Sequence, residues 1–236
     1  MLENINLENI LFLDIETVPA VSSFEELNER MQKLWEHKAE RLRKTETETA
    51  AELYRRAGIY SEFGKIICIS VGYLHHNEFR IKSFSNHDEK QLLLDFSLLL
   101  NTHFNKPEQL LCAHNGREFD FPYISRRMVI HGIKLPALLD LGGKKPWEVN
   151  HLDTMELWKF GDFKNYTSLE LLAAIFDIPT PKDDIDGSMV AKVYYEEQDL
   201  PRIVKYCNKD VLTIFQIFRK YRGEGLFKES QVVVID

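Results

Sequence analysis

The chain has 236 residues, of which 44% are hydrophobic and 28% charged. That balance is ordinary for a globular chain long enough to build its own core without disulfides or a structural metal. Its 37 acidic residues outnumber 30 Lys and Arg, for a net charge of -7, which argues against a basic, non-specific nucleic-acid coat and leaves a local basic face open.

The start, MLENINLENILFLDIE, carries acids where a secretory leader needs cations, and no apolar stretch reaches the length of a membrane span. Cys68, Cys112 and Cys207 are scattered, with no CxxC pair. Neither a zinc knuckle nor a thioredoxin-type site is present in that pattern, and a reducing, cytoplasmic setting is expected.

In chain order, Ile10–Leu13 predicts a buried strand that ends in acids. A charged segment, about 22–60, follows. Ser23 with Glu26 reads as a capping box, as does Thr49 with Glu52, and Glu26/Arg30, Glu29/Lys33, Glu40/Lys44 and Glu52/Arg56 have helix ion-pair spacing. This insert is either a solvated helical hairpin or a flap over substrate with Tyr54, Arg55 and Arg56 in contact, the former being the commoner fate of charged helices. Ile66–Val71 and Phe79–Phe84 predict two strands of a hairpin turning at His76-Asn77. Asn86 and Glu89 suggest a capping box before a helix rich in Leu92–Leu100.

Gln109–Ala113 predicts a short strand, and His114-Asn115-Gly116 a turn. A helix is expected from near Pro122, and a short strand at Leu152-Asp153. Helices then follow at about Ser168–Phe176, Gly187–Glu197 and Leu200–Tyr221. Val232–Ile235 reads as an edge strand or a docking tail. The expected organisation is one domain over 1–236, with the insert at about 22–60 and a tail at about 224–236. Its class is α/β: about five strands in a mixed sheet, the second antiparallel, flanked by helices.

Three short patterns carry chemistry. In Leu13-Asp14-Ile15-Glu16-Thr17, strand periodicity sends Asp14 and Glu16 to one face. Adjacent carboxylates repel unless a cation or a proton lies between them, and hard divalent cations take such oxygens. The alternative is a strand end reaching solvent. His114 through Asp120 joins a strand to a helix, where Asp120 could simply cap and Asn115-Gly116 simply turn. In Tyr206-Cys207-Asn208-Lys209-Asp210, i,i+4 spacing presents a phenol and a carboxylate together, a pairing that also arises by chance.

Taken together, order and spacing resemble the DEDD exonucleases of the RNase H-like (DnaQ-like) superfamily: D-x-E, then N-x₂₋₃-[F/Y]-D, then Y-x₃-D. Here these are Asp14/Glu16, Asn115…Phe119-Asp120 and Tyr206…Asp210. The last motif resembles the tyrosine subclass, since the histidine subclass has H-x₄-D. In particular the chain resembles predicted 3'-5' exonucleases related to the proofreading domain of family B DNA polymerases. Supporting stretches are Phe63–Ser70, His114–Pro122, His151–Asp153 and Asp184–Ser188. Polymerase fingers, palm and thumb are not expected.

The resemblance implies an RNase H-like fold and a 3'-5' exonuclease with two divalent ions, Mg²⁺ or Mn²⁺. Asp14 would bridge them, Glu16 and Asp210 would complete one site, and Asp120 would hold the second through water. Tyr206 would position the attacking water, since a phenol with a pKa of about 10 is a poor neutral-pH base. Thr17 would touch the terminal sugar, Asn115 a phosphate, Phe119 and Phe121 the terminal bases, and Lys182 a phosphate. An aspartate like Asp153 supports the core or cleft in such enzymes.

The implied partner is the 3' end of a nucleic acid, single-stranded DNA before RNA, with no membrane. The chain would act alone or be recruited by a polymerase or repair partner. Arg55, Arg56, Arg117, Arg126, Arg127, Lys144, Lys145 and Lys182 are the cations available to phosphates. Three rivals stand beside this reading: an RNA-trimming enzyme of the same fold, a non-catalytic binding module, and an HD-type phosphohydrolase suggested only by His87-Asp88.

Overall fold

The computed structural model describes residues 2–162, 164, 166–179 and 185–235. Its centre is a strand that must be apolar on both sides. In β1 (Ile10–Pro19), Ile10 through Leu13 are fully buried. Strand alternation sends Leu11, Leu13 and Ile15 to one face of the sheet and Ile10 and Phe12 to the other. Asp14 and Glu16 therefore share the second face with Phe12.

β1 pairs antiparallel with β2 (Gly64–His75), and a bulge falls between Glu16 and Thr17. β2 pairs antiparallel with β3 (Glu78–Ser85), and the hairpin turns at His76, whose φ is 53°. On the other side β1 pairs parallel with β4 (Leu110–Ala113), and β4 with β5 (Leu152–Asp153). The C-terminal Val232–Ile235 forms β6, parallel to β3. The order is β5-β4-β1-β2-β3-β6, six strands rather than about five. The tail supplies the sixth by folding back on its own sheet, held there by reciprocal bonds between Gln216 and the Phe227 backbone and by Gln231 to Asn77 O.

Between β1 and β2 lie α1 (Glu29–Leu42) and α2 (Ala50–Tyr54). They have their own small core, in which Trp35 donates to Ala50 O at 2.8 Å and packs against Tyr54, Tyr60 and Phe63. The Thr49/Glu52 capping box is present. Ser23 caps nothing; Glu26 instead takes the Ser22 hydroxyl and N–H, and Asn28 caps α1. The i,i+4 pairs expected in this insert form no salt bridge among the described residues, and Glu52 spends its carboxylate on Thr49.

One face of the sheet is covered by α3 (Glu89–Thr102) and α4 (Asp120–Ile130). Asp88, not Asn86, caps α3. Glu89 is buried, receiving Ile66 N–H, the Arg127 guanidinium and His131. Arg127 is thus a structural cation and is not available to phosphates. Further along come α5 (Thr154–Lys159), α6 (Leu169–Ile175) and the short α7 (Val190–Lys192), which runs on into a π turn over Val193–Glu197.

The other face is covered by α8 (Leu200–Tyr221). Its buried stripe, Ile203, Cys207, Val211, Ile214, Phe215 and Phe218, has helical 3-4 spacing. Phe215 and Phe218 meet Phe12 edge-on. The stripe fixes the rotation of α8, and its flank carries Tyr206 and Asp210 toward the acidic end of β1. Among the described residues, no helix is long and apolar enough to cross a membrane.

Candidate active site

A cleft of about 1160 Å³ opens at the acidic end of β1. Asp14, Glu16, Thr17, Phe119, Tyr206 and Asp210 all line it. The three sequence patterns, far apart in the chain, meet here. β1 brings its two acids to the α8 face, the β4–α4 turn brings Phe119 and Asp120, and α8 brings Tyr206 and Asp210.

Glu16 is 7% exposed and Asp120 3%. Asp120 is the first residue of α4. It lies just behind the cleft lining, close enough for its charge to act on both acids. Burial, then the charges of Glu16, Asp210 and Asp120, push the Asp14 carboxyl well above the usual carboxylate range. Glu16 moves the same way, by burial and then by Asp210. Burial raises Asp120 to about 8 and Asp210 to about 6, the latter against the Tyr206 hydrogen bond and Lys209. The Tyr206 phenol is raised by burial and then by the charges of Asp210, Glu16 and Asp14.

This is a donor set in want of positive charge. Ligand atoms of Asp14, Glu16 and Cys207 lie within 4.8 Å of one another, and Asp120 and Asp210 bring two further carboxylates into electrostatic range. A cluster of buried hard oxygens whose mutual repulsion raises their carboxyl pKa values fits divalent ions.

The turn after β4 is built around Asp153. One of its oxygens accepts the N–H of Asn115, Met155 and Glu156, and the other that of Arg117. Asp153 thereby caps α5 and clamps the turn that delivers Asp120. His114 is tied to Thr154 and Thr167 O, and burial lowers its pKa. Asn115 sits at φ 61°, and its buried side-chain oxygen has no partner among the described residues. Asn115 is not in the cleft lining.

Other expectations fare unequally. Phe119 lines the cleft and packs on Tyr123. Phe121 does not face a base: it is 0% exposed, edge-on to His151 in the core, because it shares the inward side of α4 with Ile124 and Met128. Tyr54 is likewise buried in the insert. Lys182 lies outside the described residues. His87 bonds Tyr194 OH at 2.9 Å, and Asp88 caps α3, which accounts for both without an HD site. Arg117 donates to Pro146 O and Val149 O.

The sequence patterns did not single out Cys207, whose thiol bonds Asp14, nor Lys192 and Tyr195 on the cleft wall. The signal for Cys207 was its place on the buried stripe of α8. Lys192 and Tyr195 have only i,i+3 spacing to mark them. A second cavity of about 810 Å³ lies along α4, lined by residues such as Val129, Ile130, Leu135 and Arg126; none of the clustered acids reaches it.

The chain matches a family model described as "Predicted 3'-5' exonuclease related to the exonuclease domain of PolB" over residues 59–231. The chain belongs to this family. The match contains Asn115, Asp120, Tyr206 and Asp210, while β1 and most of the insert precede it.

Among curated relatives, a DNA polymerase of Pyrococcus horikoshii is 23% identical over 181 residues, covering 68% of this chain and 14% of that protein. A DNA polymerase of Thermococcus sp. (strain 9oN-7) is 22% identical, over 68% of this chain and 23% of that protein. The chain thus spans a small part of the polymerases it matches. The family B DNA polymerase from Pyrobaculum calidifontis shares the fold, with a TM-score of 0.55 at 14% identity, covering 89% of this chain and 24% of that one. The sheet is that of an RNase H-like exonuclease fold.

Proposed function

We propose that this chain hydrolyses the terminal phosphodiester bond at the 3' end of single-stranded DNA, with two bound divalent ions, Mg²⁺ or Mn²⁺. The observation that carries this reading is the convergence of Asp14, Glu16 and Asp210 in one cleft with Asp120 within electrostatic range behind it, each carboxyl raised by burial. A binding module for phosphates gains nothing from buried acids that repel its ligand.

In this proposal Asp14, Glu16, Asp120 and Asp210 would hold the ions. When bound, such ions neutralise charge on the phosphoryl oxygens and lower the pKa of water to about 7. The chain's own residues supply placement. Tyr206 keeps its proton at neutral pH, because its environment raises an already weak acid. Its hydroxyl therefore orients the attacking water by hydrogen bonding and does not act as the base. Thr17, next to the acids on the cleft lining, faces the terminal sugar. Phe119 offers an apolar surface to a base. Free, buried Cys68, Cys112 and Cys207 accord with a cytoplasmic setting. The net negative charge accords with modest affinity or delivery by a polymerase or repair partner.

The test is a digestion ladder on a 5'-labelled single-stranded DNA and its RNA twin, with Mg²⁺, Mn²⁺ or EDTA. Shortening from the 3' end that needs metal and is lost in Asp14→Ala supports the proposal. RNA cleaved in preference to DNA would replace the substrate, and cleavage that persists in Asp14→Ala would remove the mechanism.

A further inference from the structure

Part of the cleft wall comes from the insert. Arg55, Arg56 and Ile59 line the same cleft as Asp14, Glu16 and Asp210, with Lys192 of α7 beside them. All three cations are exposed, and Ile59 is 49% exposed. Neither guanidinium forms a salt bridge or hydrogen bond among the described residues, since Glu52, the i,i+4 partner of Arg56, is bonded to Thr49.

The arginines are not on a loose loop. The residues around them, Leu53, Tyr54, Ala57 and Gly58, are buried. Gly58 lies flat on β1: a Cβ there would come within 2.9 Å of the Val18 carbonyl carbon. Gly58 O also accepts the Tyr123 hydroxyl at 2.7 Å. The turn is thus seated on β1 two residues beyond Glu16, which fixes the arginines relative to the acids before any substrate arrives.

From this we infer that Arg55, Arg56 and Lys192 form a backbone subsite for the nucleotides upstream of the cleaved bond. It takes their phosphates on the cations, and a base lies against Ile59. The inference rests on the exonuclease reading for the direction of the strand. Its physical logic is separation of charge. The acids repel phosphates until divalent ions bind, so a strand must be gripped by cations on another wall. Lys65 is not on the cleft lining and is engaged with the rings of Tyr194 and Tyr195. The matched family region begins at residue 59, just after the arginine pair.

The experiment measures binding of a 5'-fluorescein 12-mer single-stranded DNA by anisotropy across a salt series, without Mg²⁺ or Mn²⁺. It compares the full-length protein with Arg55→Gln/Arg56→Gln. Two lost phosphate contacts should lower the slope of log K against log[salt] by about 1.4, at roughly 0.7 per contact for single strands. Arg30→Gln/Lys33→Gln, which removes the same charge from exposed positions of α1 outside the cleft lining, should leave the slope unaltered. Arg55→Lys/Arg56→Lys should restore it, which guards against a folding defect. An unchanged slope in the cleft variant, or an equal fall in the α1 variant, would overturn the subsite. Arginine-dependent binding without any 3' digestion would keep the subsite and remove the exonuclease reading; digestion with an indifferent slope would do the reverse.

Discussion

The thiol of Cys207 lies 3.4 Å from Asp14 Oδ2 and 3.4 Å from the Asp14 carbonyl oxygen. It is buried beneath the acid that the proposed mechanism uses most. Among the described residues, the thiol is the hydrogen-bond donor that opposes the upward shift of that carboxyl.

Cys207→Val keeps the bulk and removes the donor. We expect turnover on single-stranded DNA to fall about tenfold, the equivalent of one hydrogen bond of about 1.4 kcal/mol. Cys207→Ser should retain most activity. Rates measured beside thermal melts check this, and a Val variant with undiminished turnover would leave Cys207 as packing alone.

Asp14→Ala and Asp210→Ala should abolish turnover with the fold intact, whereas Tyr206→Phe should lose about 10²-fold or less, the scale of a misplaced reactant. Single-turnover rates on the three variants, with circular dichroism as the fold control, decide it. A Tyr206→Phe rate equal to wild type would take the hydroxyl out of the chemistry.

The metal-free protein should become less stable as pH rises. Carboxyls whose folded pKa lies above the unfolded value bind protons more tightly when folded, so their contribution is present at low pH and is lost as they ionise. With Asp210 at about 6 and Asp120 at about 8, the melting temperature in EDTA should fall as pH rises from about 4, the unfolded carboxyl value, through about 8. Excess Mg²⁺ or Mn²⁺ should restore it, since a ligand of the folded state stabilises it. A flat profile in EDTA would contradict the crowding of these acids.

Glu89 behaves in the opposite sense. Burial raises its pKa, but hydrogen bonds from Arg127 and Ile66 N–H outweigh this and hold it below the ordinary value. Its contribution is therefore present above the unfolded pKa and lost as pH falls through the folded one. Glu89→Gln leaves the buried Arg127 guanidinium without its counter-charge, and should cost about 3–5 kcal/mol. Chemical denaturation checks the size; a loss below about 1 kcal/mol would mean that Arg127 finds another partner.

The fold and the acids were legible because both rest on short-range rules. Alternation along Ile10–Glu16 sets which side chains share a face, and the spacing of Tyr206 and Asp210 sets their common side of a helix. Capping was less legible: Asn86 and Asp88 are equally good caps locally, and Glu89 was claimed by Arg127 and His131, residues 38 and 42 positions away. Phe119 and Phe121 are interchangeable as letters. Only the rotation of α4 against the sheet puts one in the cleft and the other in the core.

By itself, then, the sequence determined the elements, the mixed sheet and the acidic set, since local periodicity and residue chemistry suffice for these. Tertiary structure decided which side chains were free to act. Packing consumed Phe121, Tyr54 and Arg127, brought Cys207 under Asp14, and seated the insert on β1 so that Arg55 and Arg56 line the same cleft as the acids. Those outcomes depend on contacts between distant segments, where burial area and steric fit, not spacing, choose the partner.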